Sequence, residues 1–296
     1  MDGFINLYKP AGLTSHDCVT KIRRWLRERR VGHGGTLDPL ATGVLPIAVG
    51  RATRLLTFLP ADKRYRARVR FGVQTTTDDL AGELVTQQPV PDLTLATVQA
   101  VLPEFIGVIA QKPPAFSAIH IQGQRAYDLA RQGQAVDLPE RSVEIYELTV
   151  RDWQGGAFPE LTLDVHCGSG TYIRSLARDI GQRLGIPATL SALERTASGG
   201  MDIARSLTLE QCHAHCQAGD WQLDPLDHYL HHLPAVTLTR TQAQRWCYGQ
   251  PQDVTVQASP WWRVYDEQGH FLGIGQRTSE QTLKPHLVLA DPRSAC

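Results

Sequence analysis

The clearest pattern of apolar and polar positions in the chain is the two-residue alternation of YRARVRF at residues 65–71. Apolar side chains occupy every second position with arginines between them, and a strand points such positions to opposite faces. A face of arginines suits either an acidic partner or a sheet edge that charge protects from further pairing. We therefore predict a half-buried strand that begins at Tyr65.

Similar patterns predict most of the other elements. FINLYKP near the N-terminus is typical of a strand, and Thr14 or Ser15 can cap a helix that runs to Arg30 with its arginines on the outer face. Proline and glycine punctuate residues 107–134, which predicts a loop that ends in a short helix around Tyr127–Arg131. The remaining predictions before residue 200 are helices at 51–59, 94–106 and 172–184 and strands at about 143–153 and 160–167.

After Gly199 the pattern loosens, and a small β-rich unit follows from about Leu233. It contains the strands AVTL and LKPHLVL, a helix near 241–248 and a hairpin around Gln268–Gly269. A chain of 296 residues is long enough for one large domain and one small domain. Because strands and helices mix without strict alternation, we predict an α+β fold rather than a doubly wound one. We place the large domain at 1–231 and the small one at 232–296.

One carboxylate, Asp38, stands in the segment HGGTLDPLATGVLPIAVG at residues 33–50. Pro39 disfavours the α region for Asp38, and the neighbouring glycines permit sharp turns or close approach of a ligand. The apolar run VLPIAVG predicts a buried strand that would anchor this loop. An acid held on such a loop is a candidate for chemistry, although an aspartate that only caps a turn is the common alternative.

The charge of the chain is unevenly distributed. The whole chain has a net charge of zero, but residues 1–70 hold 14 lysines and arginines against five acids, which gives +9. Such an asymmetry is typical of a basic face that meets a polyanion. For the arginines of residues 23–30, a solvated helix face is the alternative interpretation.

Composition narrows the remaining possibilities. No apolar run approaches the roughly 20 residues of a membrane span, and the N-terminal pattern is not that of a signal peptide. We therefore expect a cytoplasmic protein whose six cysteines are free thiols. CHAHC at residues 212–216 lacks the second ligand pair of a structural zinc site, and it follows Ser206 and Thr208, either of which can cap a helix. We favour an ordinary polar helix there over a metal site.

Taken together, several blocks resemble a known family. GHGGTLDPLATGVLPIAVGRATRL resembles the catalytic-aspartate motif of the bacterial TruB family, the tRNA pseudouridine synthases that modify the T-loop uridine (position 55 of tRNA). LYKPAGLTSHD, DKRYRARVRFGVQTTTDDLAGE, KPPAFSAIHIQGQRAYDLARQG, CGSGTYIRSLARDIG and LERTASGGMDI are similar to its other blocks, in the same order. The resemblance covers residues 3–210 and, more weakly, the C-terminal end.

This resemblance implies a fold and a reaction. The fold would be a long mixed, mostly antiparallel sheet with flanking helices and loops, followed by a small barrel-like (PUA-like) RNA-binding domain. A packing cap is the physical alternative for this tail. The reaction would isomerise the T-loop uridine to pseudouridine after base flipping. It is redox-neutral and keeps its uracil, so neither a metal nor a cofactor is expected.

The resemblance also assigns roles to individual residues. Asp38 would be the catalytic carboxylate, Tyr65 would stack on the target base, and Arg174 would pair with Asp38 and keep it ionised. The resemblance further implies that Tyr172 and Leu193 line the pocket and that His33 stacks in the opened loop. Lys9 and the arginines of 51–70 would contact phosphates. The loop 112–134, with Arg125 and Arg131, would grip the T-arm.

The implied partner is tRNA, bound through its T-arm by a monomer that needs no protein partner and no membrane. A non-catalytic tRNA-binding protein on the same scaffold is one alternative, but a pure binder has no use for an acid beside phosphates. A guide-RNA-dependent pseudouridine synthase is another, and the full loop at 112–134 favours the stand-alone enzyme. A phosphate-binding loop of a nucleotide-binding protein is the weakest alternative. The Asp38 segment lacks both the Lys-Ser/Thr ending of a P-loop and the G-x-G-x-x-G spacing.

Overall fold

A nine-stranded sheet forms the body of the protein. The computed structural model describes residues 1–117, 120–121, 124–125, 127, 138–254, 259–279 and 281–290. The strand order is β1-β3-β12-β4-β11-β10-β7, with β2 beside β3 and β13 beside β12. The sheet strands are β1 (Gly3–Lys9), β2 (Val31–His33), β3 (Thr42–Val49), β4 (Lys63–Phe71), β7 (Gly107–Gln111), β10 (Arg141–Gln154), β11 (Glu160–Cys167), β12 (Ala188–Ser198) and β13 (Met201–Asp202). Every pairing is antiparallel except β12–β3, so the predicted mixed, mostly antiparallel sheet is confirmed.

Helices and short hairpins cover this sheet. The helices of the body are α1 (Ser15–Leu26), α2 (Leu95–Val101), α3 (Ile173–Leu184) and α4 (Leu209–Ala218). The 3-10 helices are Gly50–Phe58, Leu102–Phe105 and Ile203–Arg205, and the short strands are β5 (Val73–Thr75), β6 (Leu84–Gln87), β8 (His120–Ile121) and β9 (Gln124–Arg125). Within the described residues, no helix is long and apolar enough to cross a membrane.

Strand β4 lies in the middle of the sheet, not at an edge. Its apolar positions, beginning with Tyr65, are buried as the alternation predicts. Its arginine face meets acids of the neighbouring strand: Arg66 Nε lies 3.0 Å from Asp164 Oδ1 and Arg70 Nε lies 2.7 Å from Glu160 Oε1. Of the two predicted roles, the acidic partner is therefore correct, and it lies within the same chain.

Helix α1 begins where the sequence predicts and ends earlier. Thr14 accepts from the Asp17 amide while Asp17 accepts from the Thr14 amide, which completes a capping box. The helix ends at Leu26, before the predicted Arg30, because Arg27 takes a left-handed conformation with φ 52°. Val19 and Ile22 are buried against the sheet.

Four strands of the sheet have no counterpart among the predicted elements, namely the short β2 and β13 and the longer β7 and β12. Residues 107–111, expected to be loop, form the edge strand β7, and residues 188–198 form β12 between β3 and β4. Register shifts interrupt β12 between Leu190 and Ala192 and between Arg195 and Ala197. These bulges break the two-residue period, so the sequence shows no alternation there. Of the predicted helix at Tyr127–Arg131 the structure describes only Tyr127, which is helical; residues 128–131 and the side chain of Arg125 lie outside the described residues.

The C-terminal residues form a second sheet with the strand order β14-β16-β17-β18-β15. Its elements are β14 (Ala235–Thr237), α5 (Arg240–Cys247), β15 (Gln252–Asp253), β16 (Trp261–Tyr265), β17 (Phe271–Ser279) and β18 (Thr282–Val288). The predicted hairpin between β16 and β17 is confirmed. Ile274 and Leu287 pack in one apolar cluster with Phe4 and Val44 of the body, so the second sheet is joined to the first through buried side chains.

Candidate active site

The loop that carries Asp38 connects β2 to β3 and is fixed by neighbouring polar groups. Ser15, at the start of α1, accepts from the Leu37 amide at 2.8 Å and lies 3.2 Å from the Leu37 carbonyl. The Asp38 carbonyl accepts from the Ala41 amide at 3.1 Å, which closes a turn around Pro39. The loop is therefore held at its centre, and Asp38 projects from it with 40% of its side chain exposed.

Arg174 faces the Asp38 carboxylate, as the resemblance implies. Its Nη2 lies 2.9 Å from Asp38 Oδ2, and its Nε lies 3.6 Å from Asp79 Oδ2. The Arg174 side chain is buried and also donates to the carbonyls of Thr77 and Phe116. Asp79, which the sequence analysis did not single out, is thus a second acid on the same guanidinium; its only sequence signal is the Asp-Asp pair in TTTDDL.

The pKa of Asp38 differs from the expectation. Burial raises the pKa of this carboxyl above its ordinary value of 3.8, and the neighbouring Asp79 raises it further. Arg174 and Lys9 lower it but do not offset the burial. The predicted pairing is therefore present, and Arg174 lowers the pKa of Asp38 as expected, but desolvation is the larger cause and the pKa is raised overall.

Tyr65 and Arg195 meet directly behind the Asp38 loop. They are partners across β4 and β12, and both side chains are buried. The Arg195 guanidinium lies against the Tyr65 hydroxyl, and burial raises the pKa of this phenol while Arg195 acts to lower it. Arg195 was not among the predicted site residues, because an arginine in LERTASGG carries no sign that it occupies a core position.

The predicted phosphate contact of Lys9 is contradicted by its position. Its side chain is fully buried, and its Nζ donates to the carbonyls of Pro10 at 2.8 Å, Leu13 at 2.7 Å and Pro39 at 3.4 Å. An ammonium with these partners has no path to an RNA phosphate. Lys9 instead ties the residue after Asp38 to the turn before α1, and burial lowers its pKa.

The other predicted site residues lie around the same loop. His33 ends β2, its Nδ1 has no hydrogen-bond partner among the described residues, and burial lowers its pKa, which favours the neutral ring. Tyr172 is the N-cap residue of α3, one position before the helix that carries Arg174. Leu193 is half-buried on β12 and packs against the main core. These positions allow the roles that the resemblance assigns, which stay predictions.

The base of the predicted gripping loop is anchored on α3. The Gln111 side chain exchanges two hydrogen bonds with the backbone of Tyr172, at 2.8 and 3.1 Å. Ser175 and Arg178 both donate to the Lys112 carbonyl. The described start of the segment 112–134 is therefore connected to the helix that carries Arg174.

The CHAHC segment forms part of α4, capped by Thr208 as predicted. Cys212 is buried, Cys216 Sγ lies 2.9 Å from the Trp25 carbonyl, and His213 stacks on Trp25 with ring centroids 4.9 Å apart. Packing against α1 therefore accounts for these side chains.

The geometry suits chemistry that begins with a carboxylate. A half-exposed acid beside a buried guanidinium can act as a nucleophile or a base, because the cation stabilises the ionised form against burial. The groups that could touch a bound base, namely Asp38, Tyr65, Tyr172 and Leu193, come from one loop, two strands and one helix end of the same sheet.

Comparison with known proteins decides the family. Residues 23–173 match "TruB family pseudouridylate synthase (N terminal domain)", and 174–235 and 234–289 match two C-terminal domains of TruB proteins. The chain is 54% identical over 277 residues to tRNA pseudouridine synthase B of Nostoc sp. strain PCC 7120, covering 93% of this chain and 94% of that protein. With the protein of the same name from Acaryochloris marina it shares 51% identity, covering 98% and 99%.

The chain belongs to the TruB family of pseudouridine synthases. It is accordingly an isomerase that converts uridine to pseudouridine in tRNA. Among solved structures it is similar to "Crystal Structure of a Cbf5-Nop10-Gar1 Complex", with a TM-score of 0.75 and 25% identity over 99% of this chain and 86% of that one. This similarity confirms the fold of the body and of the C-terminal β unit.

Proposed function

We propose that this TruB family member acts on the T-loop uridine of tRNA, that Asp38 is its catalytic carboxylate, and that the target base is flipped out of the loop to reach Asp38 and Tyr65. The observation that carries the proposal is the pair formed by Asp38 and the buried Arg174 at 2.9 Å. A uridine in a folded loop is stacked, so its reacting atoms reach such a carboxylate only after extrusion.

The reaction balances without an outside reactant. The N1–C1′ bond of uridine breaks, the uracil turns, and a C5–C1′ bond forms. The hydrogen on C5 leaves as a proton, and N1 gains one. Ionised Asp38 has three possible roles: it attacks C1′ of the sugar, adds to C6 of the base, or removes a proton from the sugar. The sequence and the geometry are compatible with each.

The neighbouring side chains would hold the base and the opened RNA. An aromatic face stacks on any base, which suits Tyr65, and Tyr172 and Leu193 would line the pocket. The neutral ring of His33 suits stacking against the gap left by the flipped nucleotide. The loop 112–134 and the small C-terminal domain, residues 232–296, would extend the contact along the tRNA.

We further propose that the enzyme works as a monomer, without a guide RNA or a protein partner. The curated relatives named tRNA pseudouridine synthase B match nearly their whole length at about half identity, whereas the Cbf5 chain of the Cbf5-Nop10-Gar1 complex is only 25% identical. A non-catalytic binder would not need Asp38 beside Arg174.

The test is release of the C5 hydrogen from labelled uridine in a bare T-arm stem-loop under single-turnover conditions. Asp38→Asn is nearly isosteric and cannot act as nucleophile or base, so it should keep RNA affinity and lose turnover. Asp220→Asn, at an exposed acid that pairs with His215, is the matched control. Activity of Asp38→Asn within tenfold of wild type would remove Asp38 from the mechanism.

A further inference from the structure

The structure contains a buried cation that the proposed chemistry does not use. Arg195 has no exposed side-chain surface, and no ion pair joins it to a carboxylate among the described residues. A charge buried in this way is costly unless polar partners surround it. An apolar side chain would fill the same space at lower cost, so the partners of Arg195 should explain its presence.

Those partners include carbonyls on both sides of Asp38. Arg195 Nη2 donates to Gly35 at 3.0 Å, Nη1 donates to Thr36 at 3.3 Å, and Nε donates to Val44 at 2.7 Å. Gly35 and Thr36 precede Asp38, and Val44 lies in the strand that follows it. One planar guanidinium therefore fixes both ends of the catalytic loop, a geometry that a lysine cannot reproduce.

On the other neighbouring strand, Arg195 is the cross-strand partner of Tyr65, and its guanidinium lies beside the Tyr65 hydroxyl. The backbone is adapted to this bridge: Arg195 pairs with Gly43 across β12–β3, where a side chain at Gly43 would collide with the Arg195 backbone.

We infer that Arg195 is a positioning residue for pseudouridine formation. It sets the Asp38 carboxylate and the Tyr65 ring at a fixed separation, because it bonds to the backbone on both sides of Asp38 and pairs with Tyr65 across the neighbouring strand. The inference rests on the proposed roles of Asp38 and Tyr65. By this inference β12 supports catalysis by positioning Asp38 and Tyr65, although Arg195 itself touches no reacting atom.

The test compares Arg195→Lys and Arg195→Gln with wild type in single-turnover reactions on the T-arm stem-loop. A displacement of about 1 Å between reacting groups can cost about 100-fold in rate, so we expect losses of that order at saturating RNA. The dissociation constant of the RNA should stay within about threefold. Arg23→Lys is the matched control, because Arg23 also donates to a carbonyl, that of Val31 at 2.7 Å, at the far end of α1.

A double-mutant cycle with Tyr65→Phe separates bridging from general support. Tyr65→Phe removes the hydroxyl that Arg195 contacts, so Arg195→Lys should cost less in that background than in wild type. Additive effects would overturn the inference. Rates are expressed per bound RNA, so a variant that only folds less well reacts at the wild-type rate in its folded fraction. A wild-type rate per bound RNA in Arg195→Lys would therefore also overturn the inference.

Failure of the inference and failure of the proposed function are distinguishable. A wild-type enzyme that releases no C5 hydrogen from the T-arm, or an active Asp38→Asn, contradicts the proposed function. Wild-type turnover together with an unimpaired Arg195→Lys contradicts only the role of Arg195.

Discussion

At Asp38, burial and the Arg174 guanidinium act in opposite directions. Burial raises the pKa of the carboxyl, and Arg174 is the largest cause that lowers it. Since the proposed reaction needs the ionised form, activity should be lost as the pH falls through a pKa above 3.8. Removal of the guanidinium leaves burial unopposed and should move this loss to higher pH.

This gives a prediction for Arg174→Gln. The acidic limb of its single-turnover pH–rate profile should shift upward by about one to three pH units, the range by which a neighbouring arginine lowers an aspartate pKa. Arg178→Gln, one turn further along α3 and paired with Asp78 at 2.8 Å, should leave the limb in place. A limb that does not move in Arg174→Gln would show that another group controls it.

Single residues also show how far the sequence predicts the site. Asp38 and Arg174 are predicted as a pair because their motifs are intact, and the structure brings them together. Lys9 looked like a phosphate ligand because a lysine beside a proline gives no sign of burial. Asp79 and Arg195 were missed because their partners lie on segments distant in sequence, so their significance depends on the fold.

At the scale of elements, regular patterns predict well and irregular ones do not. Strand β4 alternates perfectly and α1 has a complete capping box, so both elements follow from the sequence, although β4 begins at Lys63 and not at the predicted Tyr65. Strand β12 carries two bulges and a buried arginine, which together hide its period. The strand that supports the site most closely is therefore the one that the pattern does not reveal.

The basic side chains of residues 1–70 fall into two groups, those paired with an acid and those without an ion pair among the described residues. Its strand arginines are largely neutralised, as Arg66 is by Asp164 at 3.0 Å. At the end of α1, several exposed side chains have no ion pair among the described residues. They are Lys21, Arg24, Arg27, Arg29 and Arg30. RNA contact by the N-terminal quarter should therefore depend on this end of α1 more than on β4.

Salt dependence of tRNA binding tests this division. Each phosphate contact adds about 0.7–0.9 to the slope of log affinity against log salt, so Arg29→Gln with Arg30→Gln should lower the slope by about 1.5. Arg66→Gln is the control and should change it little, because its charge is already paired. Equal slopes for all three proteins would mean that the end of α1 faces solvent in the complex.

At the scale of the whole molecule, the two sheets share a core. The Arg51 guanidinium donates to the Leu289 carbonyl, and Phe58 of the body meets Trp261 edge-on with ring centroids 5.3 Å apart. The sequence predicted β14, β16, β17 and β18 of the tail but left open whether the tail is an RNA-binding unit or a packing cap. The buried contacts support a packing role, and an RNA-binding role is compatible with it.

Shared packing predicts that the C-terminal unit and the body lose stability together. Ile274 is fully buried between the two sheets. Ile274→Ala should therefore lower the free energy of unfolding by about 2–4 kcal/mol. Lys284 is exposed, so Lys284→Ala should change this free energy by less than about 0.5 kcal/mol. Deletion of residues 232–296 exposes the whole patch and should lower the melting temperature further. Calorimetry would show one transition for the full chain, whereas a deletion with an unchanged melting temperature would mean that the body is stable without its C-terminal sheet.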